Sequence, residues 1–470
     1  MSEEPPESPK ETGLTIQPEA GLTNLPNGQA YVLSEMVKRS LVHIQTSKSL
    51  NVRHRIGEHE LCGPDYRLVC AWGEELRMES EAVLELLIRT PNPARRCIIR
   101  WLTTLVNGRF IGLCIDRDLL PVSEFPSIAG LEIQKLSMVW GKQLSNLNLS
   151  AVPNLTALQC YDNQLTELDL SNFPNLTHLN CTFNRITNLD LHNTPNLVEL
   201  ECSYNYITEL DLSGLRDLKK LECGNNRLTD LDLSMVPNLL HLCCGSETLT
   251  KLDLSSVPNL TYLWCSCGGL ESLDLSPVPN LTVLCCGMNH LKELNLISVP
   301  GLRELICEEN QLTELDLAHV SNLTSLHCGG NQLRELDLLP LPNLTKLGCM
   351  NNLLTELALS CVPNLTELEC GDNPLIKLDL SSVPCLTMLA CYGNRLKNLN
   401  LKLIPRLTKL FCQDNQLAEL DLSPVSMLAK LWCESNKLTD LVIRDLKHLK
   451  DLNYGSDTLR IVQRTDQNFK

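Results

Sequence analysis

From residue 155 onward the chain repeats one alternation of apolar and polar positions. It is seen in Leu155, Leu158, Cys160, Asn163, Leu165, Leu168 and Leu170, which read L-x-x-L-x-C-x-x-N-x-L-x-x-L-x-L. The cysteine of this frame returns every 21 residues, fourteen times from Cys160 to Cys433, without insertion or deletion. Leu158 and Cys160 are two apart, so on an extended segment they share one face while Ala157, Gln159 and Tyr161 share the other. Each unit therefore predicts one short strand. A single unit cannot bury its apolar side, whereas stacked copies bury a continuous leucine and cysteine column, so the fixed short period predicts a solenoid.

Twelve of the fourteen units carry Asn three residues past the cysteine, and Glu247 and Gly268 replace it in the other two. That position is where the chain leaves the strand, and the Asn side chain can bond exposed backbone groups of its own turn and of the next coil. Pro153, Pro174, Pro195 and Pro237 stand ahead of new units. Because proline lacks an N–H, short turns or 3₁₀ pieces are expected on the return side rather than regular helix.

The frame resembles the leucine-rich repeat with a cysteine in a strand position. It is most similar to the 21-residue bacterial repeats of the internalin J type, whose T-x-L-D-L-S segment matches Thr166, Leu168, Asp169, Leu170 and Ser171. The resemblance covers residues 131–460 and implies parallel strands on a concave face, short turns on the convex face and a ladder of stacked thiols. For function it implies partner binding without naming the partner.

Four segments are expected. Residues 1–28, rich in Glu, Pro and Ser, read as a disordered acidic tail. Residues 29–130 read as a small, mainly helical domain that caps the exposed end of the solenoid. Residues 131–460 form the solenoid, and 461–470 a C-terminal cap. In the N-terminal domain, helical spacing marks residues 30–46, a helix pair over Leu68 to Arg89, and a third helix from Pro93 that includes Trp101, Leu102 and Leu105. Asn107 and Gly108 then signal a turn before a strand at Phe110 to Ile115. Leu131, Ile133, Leu144, Leu147 and Leu149 read as a degenerate first coil with Val139 in the cysteine place, and Tyr454 takes that place in the last coil.

Charge narrows the partners. The net charge is −16, and residues 131–470 hold 26 basic and 39 acidic side chains, a poor match to nucleic acid or an anionic membrane. The helix pair at 68–89 resembles a helix-turn-helix, which keeps a DNA-binding regulator with a sensing repeat domain as the alternative function. Its second helix nevertheless carries Glu81 and Glu85, with Arg89 only at its end. Of 23 cysteines, fourteen belong to the ladder, where free Cys packs as a small hydrophobe. The N-terminus shows no positive start and apolar core, and no apolar run is long enough to cross a bilayer. The expectation is a cytoplasmic protein, or alternatively one secreted into a host cell without a standard signal peptide. Seven Asn-Leu-Thr triplets match the glycosylation pattern and are read as structural.

No phosphate loop, nucleophile elbow or paired C-x-x-C spacing is present, so neither catalytic residues nor a metal or cofactor site is expected. His241, two residues before Cys243, marks the one thiol with a neighbouring base. The candidate binding surface is the row just before each ladder cysteine. That row is polar at Gln159, Asn180, Glu201 and Glu222 and becomes apolar at Cys243, Trp264, Cys285 and Ile306, with Phe411 and Trp432 further on. A second row adds His241, Tyr262 and Val283. Exposed aromatic clusters ringed by charge mark binding sites. The expected function is a non-enzymatic scaffold of bacterial effector type that binds a protein partner through Tyr262, Trp264, Val283, Cys285, Ile306, Phe411 and Trp432.

Overall fold

The computed structural model describes residues 133–139, 145, 147, 149–150, 152–455 and 459–463, together with the strand backbone at 53–56, 59–62, 104–106 and 109–116. No helix occurs among the described residues. The chain divides into two compact units, residues 1–206 and 207–470.

In the first unit, β1 (Arg53–Ile56) and β2 (His59–Cys62) form an antiparallel hairpin. A second hairpin joins β3 (Thr104–Val106) to β4 (Arg109–Asp116). β4 then opens a parallel ladder that runs through β5 (Lys135–Val139), β6 (Ala157–Gln159), β7 (His178–Asn180) and β8 (Glu199–Glu201). The turn expected at Asn107–Gly108 falls outside the described residues, between β3 and β4. Leu105, expected on a helix, lies on β3 instead, because Thr104–Val106 pairs antiparallel with the strand that follows it. The helices expected at 30–46 and 68–89, and the remainder of the one from Pro93, fall outside the described residues.

The second unit continues the same ladder type. β9 (Lys220–Glu222), β10 (His241–Cys243), β11 (Tyr262–Trp264), β12 (Val283–Cys285) and β13 (Glu304–Ile306) pair in sequence order. β14 (Ser325–His327), β15 (Lys346–Gly348), β16 (Glu367–Glu369), β17 (Met388–Ala390), β18 (Lys409–Phe411) and β19 (Lys430–Trp432) follow in the same order. Each register step within this unit's ladder is 21 residues. Near the C-terminus, β20 (Asp440–Val442) pairs with β22 (Arg460–Val462), and β21 (Asp451–Asn453) pairs with β19.

Alternation places the side chains as the sequence implies. The middle residue of each strand from β6 to β19, such as Leu242, Leu263 and Leu284, is buried, as are the ladder cysteines that follow those strands. Burial, with neighbouring ladder thiols as a lesser cause, pushes the thiols of Cys286, Cys307 and Cys328 well above the ordinary range. The ladder is a column of thiols rather than bridges.

One register differs from expectation. Leu136 pairs with Leu158 and Ser137 with Gln159, so Met138, not Val139, takes the ladder place, and it is fully buried. The step here is 22 residues rather than 21. Asn163 donates to the Met138 carbonyl oxygen at 3.3 Å, as Asn184 donates to that of Cys160 at 2.9 Å.

Those asparagines join the coils. Asn310 Nδ2 donates to the carbonyl oxygens of Cys307, Glu308 and Cys286, at 3.2, 3.2 and 3.0 Å, while its Oδ1 accepts the Leu291 N–H at 3.0 Å. The bonds reach back to the preceding coil, not forward to the next. The same set recurs at Asn331, Asn352 and Asn373. Where Glu247 replaces Asn, Ser246 and Thr248 hydroxyls donate to Asn226 O at 2.8 Å and Leu228 O at 2.6 Å.

The return side consists of consecutive turns, as at Val236 N to Leu233 O and Leu239 N to Val236 O, both 3.1 Å. Most begin with an Asx turn, as where Asp169 Oδ1 accepts the Ser171 N–H at 2.9 Å, whereas Ala358 stands at that position in one coil. The Asn-Leu-Thr triplets have structural work of this kind. Asn322 donates to Pro300 O at 3.1 Å, and Thr324 to Arg303 O at 3.1 Å.

Candidate functional site

Adjacent strands β9 to β13 bring two sets of side chains onto one face. In register, Lys220, His241, Tyr262, Val283 and Glu304 form one row, and Glu222, Cys243, Trp264, Cys285 and Ile306 the other. Tyr262, Trp264, Val283, Cys285 and Ile306 are thus brought together on three neighbouring strands. Trp264 stands out from them, with 45% of its surface exposed, while Tyr262, Val283 and Ile306 are half-buried.

Cys285 does not present a contact surface. It is 2% exposed, because a small side chain set in register between Trp264 and Ile306 is covered by its larger neighbours. Its burial, with the Glu304 carboxylate as a lesser cause, pushes the thiol up to about 12. Burial also raises the Tyr262 hydroxyl, so both remain neutral across physiological pH.

Small residues follow the ladder cysteines in this part of the solenoid. Gly224, Gly245, Ser266 and Gly287 follow the ladder cysteines of successive coils and are all buried. A Cβ at Gly245 would overlap the Ser266 carbonyl oxygen, and one at Gly287 would stand 3.1 Å from the Glu308 carbonyl oxygen. At Gly245 and Gly287 the coils approach too closely for a side chain to be added without a shift.

Phe411 and Trp432 lie on β18 and β19, seven and eight strands beyond β11, and form a separate cluster. Their rings meet edge to face with centroids 5.3 Å apart. Lys430 Nζ sits 4.3 Å from the Trp432 ring centroid and 5.4 Å from that of Phe411. Asp451 accepts from Lys430 at 2.7 Å and from Trp432 Nε1 at 3.2 Å. Trp432 is therefore tied down by its own neighbours, unlike Trp264.

At the other edge of the patch stands a polar group in which Glu222 joins the His241 and Cys243 pair already marked in the sequence. Cys243 Sγ is 3.3 Å from His241 Nε2, and Glu222 Oε1 is 3.4 Å from the same nitrogen. Lys220 Nζ lies 2.7 Å from Glu222 Oε1. Burial acts to raise the Glu222 carboxyl, but His241 and Lys220 together outweigh it and hold the group down to about 2. The signal was available in the 21-residue separation of Glu222 and Cys243, which puts them opposite one another on β9 and β10.

Comparisons with known proteins agree with this architecture. Residues 195–234 match the family model described as Leucine Rich repeats (2 copies). The functional domain of InlJ from Listeria monocytogenes, described as including a cysteine ladder, is 33% identical with a TM-score of 0.62, over 65% of this chain and 68% of that one. A leucine-rich repeat protein of Leptospira interrogans shares the fold at 23% identity and a TM-score of 0.64, covering 70% and 91% of the two chains. YopM of Yersinia pestis, described as a leucine-rich effector protein, is 26% identical with a TM-score of 0.55, over 74% and 89%. No protein of curated function matches the sequence significantly. The chain belongs to the leucine-rich repeat family, and its repeats are of the cysteine-ladder type found in InlJ.

Proposed function

We propose that the protein is a non-enzymatic interaction scaffold whose protein partner docks on the concave, strand-bearing face of β11 to β13. Trp264 carries the reading, as a half-exposed indole on a regular strand. A rigid aromatic of this kind buries a large area at little entropic cost, which is why tryptophans recur as interface anchors. Tyr262, Val283 and Ile306 extend the apolar ground, and Cys285 forms its floor. Glu222, Glu304 and Glu308 ring it with negative charge and favour a partner with basic groups around an apolar centre. Phe411 and Trp432 provide a second contact for an elongated partner.

The family supports binding in general. The neighbouring folds include the Toll receptor described in complex with Spatzle, an 18% identical chain that shares the fold alone. The likeness to the Yersinia effector supports a bacterial effector role delivered to a host cell, with cytoplasmic action as the other setting. Among the described residues no helix is long and apolar enough to cross a membrane. A photo-reactive amino acid at position 264 of the full-length protein should trap a specific partner, whereas one at 339, on the return side, should not. Trapping from position 339 alone would move the binding surface off the strands.

A further inference from the structure

We propose that Glu222, His241 and Cys243 form a three-ligand site for a divalent cation of the zinc class, with a fourth position left to water or to a ligand atom from a partner. One ligand atom from each residue lies within 4.8 Å of the others, and the group is half-buried on the strand face. Nothing in a 21-residue leucine-rich repeat requires this combination, since the equivalent places in the next coil are Cys243, Tyr262 and Trp264.

The spacing fits coordination. Zinc holds sulfur at about 2.3 Å, imidazole nitrogen at about 2.0–2.1 Å and carboxylate oxygen at about 2.0–2.2 Å, so tetrahedral ligands stand roughly 3.3–3.6 Å apart. The observed 3.3 Å from Sγ to Nε2 and 3.4 Å from Oε1 to Nε2 fall on that spacing. The thiol, imidazole and carboxylate set is the mixed soft and hard group that a borderline cation prefers, and three protein ligands are the usual complement of an open zinc site.

The geometry also argues against a nucleophilic triad. In such a triad the carboxylate orients the imidazole through one nitrogen while the thiol uses the other. Here both meet Nε2. The single hydrogen that Nε2 can carry serves one of those acceptors well and not both, whereas a cation placed among the three lone pairs serves all of them. The imidazole is already aimed, because its ring lies stacked on Tyr262 with centroids 4.1 Å apart. Glu222 and Cys243 are fixed opposite one another by strand register.

Lys220 supplies the opposing force. Its ammonium lies on the oxygen of Glu222 that faces His241, so it occupies the cation's side of the carboxylate. Binding displaces this ammonium toward solvent and sends the Cys243 thiol proton to water, while the cation keeps its charge and oxidation state.

Cobalt(II) titrated into the reduced, chelator-treated full-length protein tests the site. One equivalent should give tetrahedral ligand-field absorption and a thiolate-to-cobalt charge-transfer band, both abolished by zinc. The charge-transfer band should vanish in Cys243→Ser, and affinity should fall about tenfold or more in His241→Ala and Glu222→Gln. Lys220→Met should bind more tightly than the parent, a gain that no loss of folding can imitate. Unchanged thermal midpoints would show that the ligand variants remain folded. Absence of a tetrahedral spectrum, a charge-transfer band that survives in Cys243→Ser, or affinity not improved in Lys220→Met would overturn the assignment.

Discussion

The His241 imidazole lies flat on the Tyr262 ring, with the planes 9° apart and the centroids separated by 4.1 Å. The two residues occupy the same place on consecutive strands. Their stack joins the polar group of Glu222 and Cys243 to the aromatic patch around Trp264. One continuous surface therefore changes from charged to apolar within four strands, while the column beneath it stays unchanged.

The thiol column has a direct chemical consequence. Fifteen cysteines, the fourteen of the ladder and Cys285, are buried, and a buried thiol held protonated is a poor nucleophile. Titration of the native protein with a thiol reagent should leave at least those fifteen protected, and denaturation should release most of the 23. Rapid reaction of ladder cysteines, or their recovery as disulfides, would contradict the packing described.

The Asn310 side chain satisfies four backbone groups of two coils. Asn310→Ala leaves the Leu291 N–H and three carbonyl oxygens without that side chain. A buried group left unbonded costs roughly 1–3 kcal/mol, so a loss of at least about 3 kcal/mol is expected in denaturant unfolding. A repeat array depends on neighbour contacts, so the transition should also broaden. A loss comparable to that of a surface substitution would remove the asparagine from its coil-joining role.

His327 adds a pH dependence. The Glu308 carboxylate, 3.6 Å from its Nδ1, raises the imidazole above its ordinary range against the opposing effect of burial, and Glu369 and Glu304 act in the same direction as Glu308. Because the folded pKa is raised, this stabilisation is fully present below the unfolded value of about 6.5 and is lost as pH rises through the folded value. The thermal midpoint of the parent should therefore exceed that of His327→Gln most clearly below about pH 6 and approach it in alkali. A gap that widens with rising pH would reverse the assignment.

Much of this architecture was legible because the buried column imposes a strict period. Leu263 and Cys265 must face inward, so Tyr262 and Trp264 must face outward. The misplacement of Val139 arose where a 22-residue step shifts the count, and only the pairing of Leu136 with Leu158 reveals Met138 beneath it. Cys285 was read as a contact because alternation gives direction but not cover, and its cover comes from neighbours in other coils. The Glu222, His241 and Cys243 group needed two strands to be considered at once. The N-terminal segments contain no comparable period, and their strands depend on pairings that composition does not encode.

The return side provides a matched control for the binding surface. Leu339 is 69% exposed, more than Trp264, yet it lies in a turn away from the strands. Leu339→Ala should leave both the fold and partner binding unchanged. A strong loss of binding there would show that exposed apolar area, rather than position on the strand face, governs recognition.

The concave-face account is tested most directly by the affinity of full-length Trp264→Ala for the partner trapped at position 264, measured beside the parent and His178→Ala. Truncation of a buried aromatic anchor commonly costs about 2 kcal/mol or more, roughly thirtyfold in affinity. Trp264→Ala should therefore bind at least about thirtyfold more weakly with an unchanged thermal midpoint, and His178→Ala should bind as the parent does. Parent-like affinity in Trp264→Ala, with binding abolished instead by substitutions on the return side or within residues 30–120, would contradict the account.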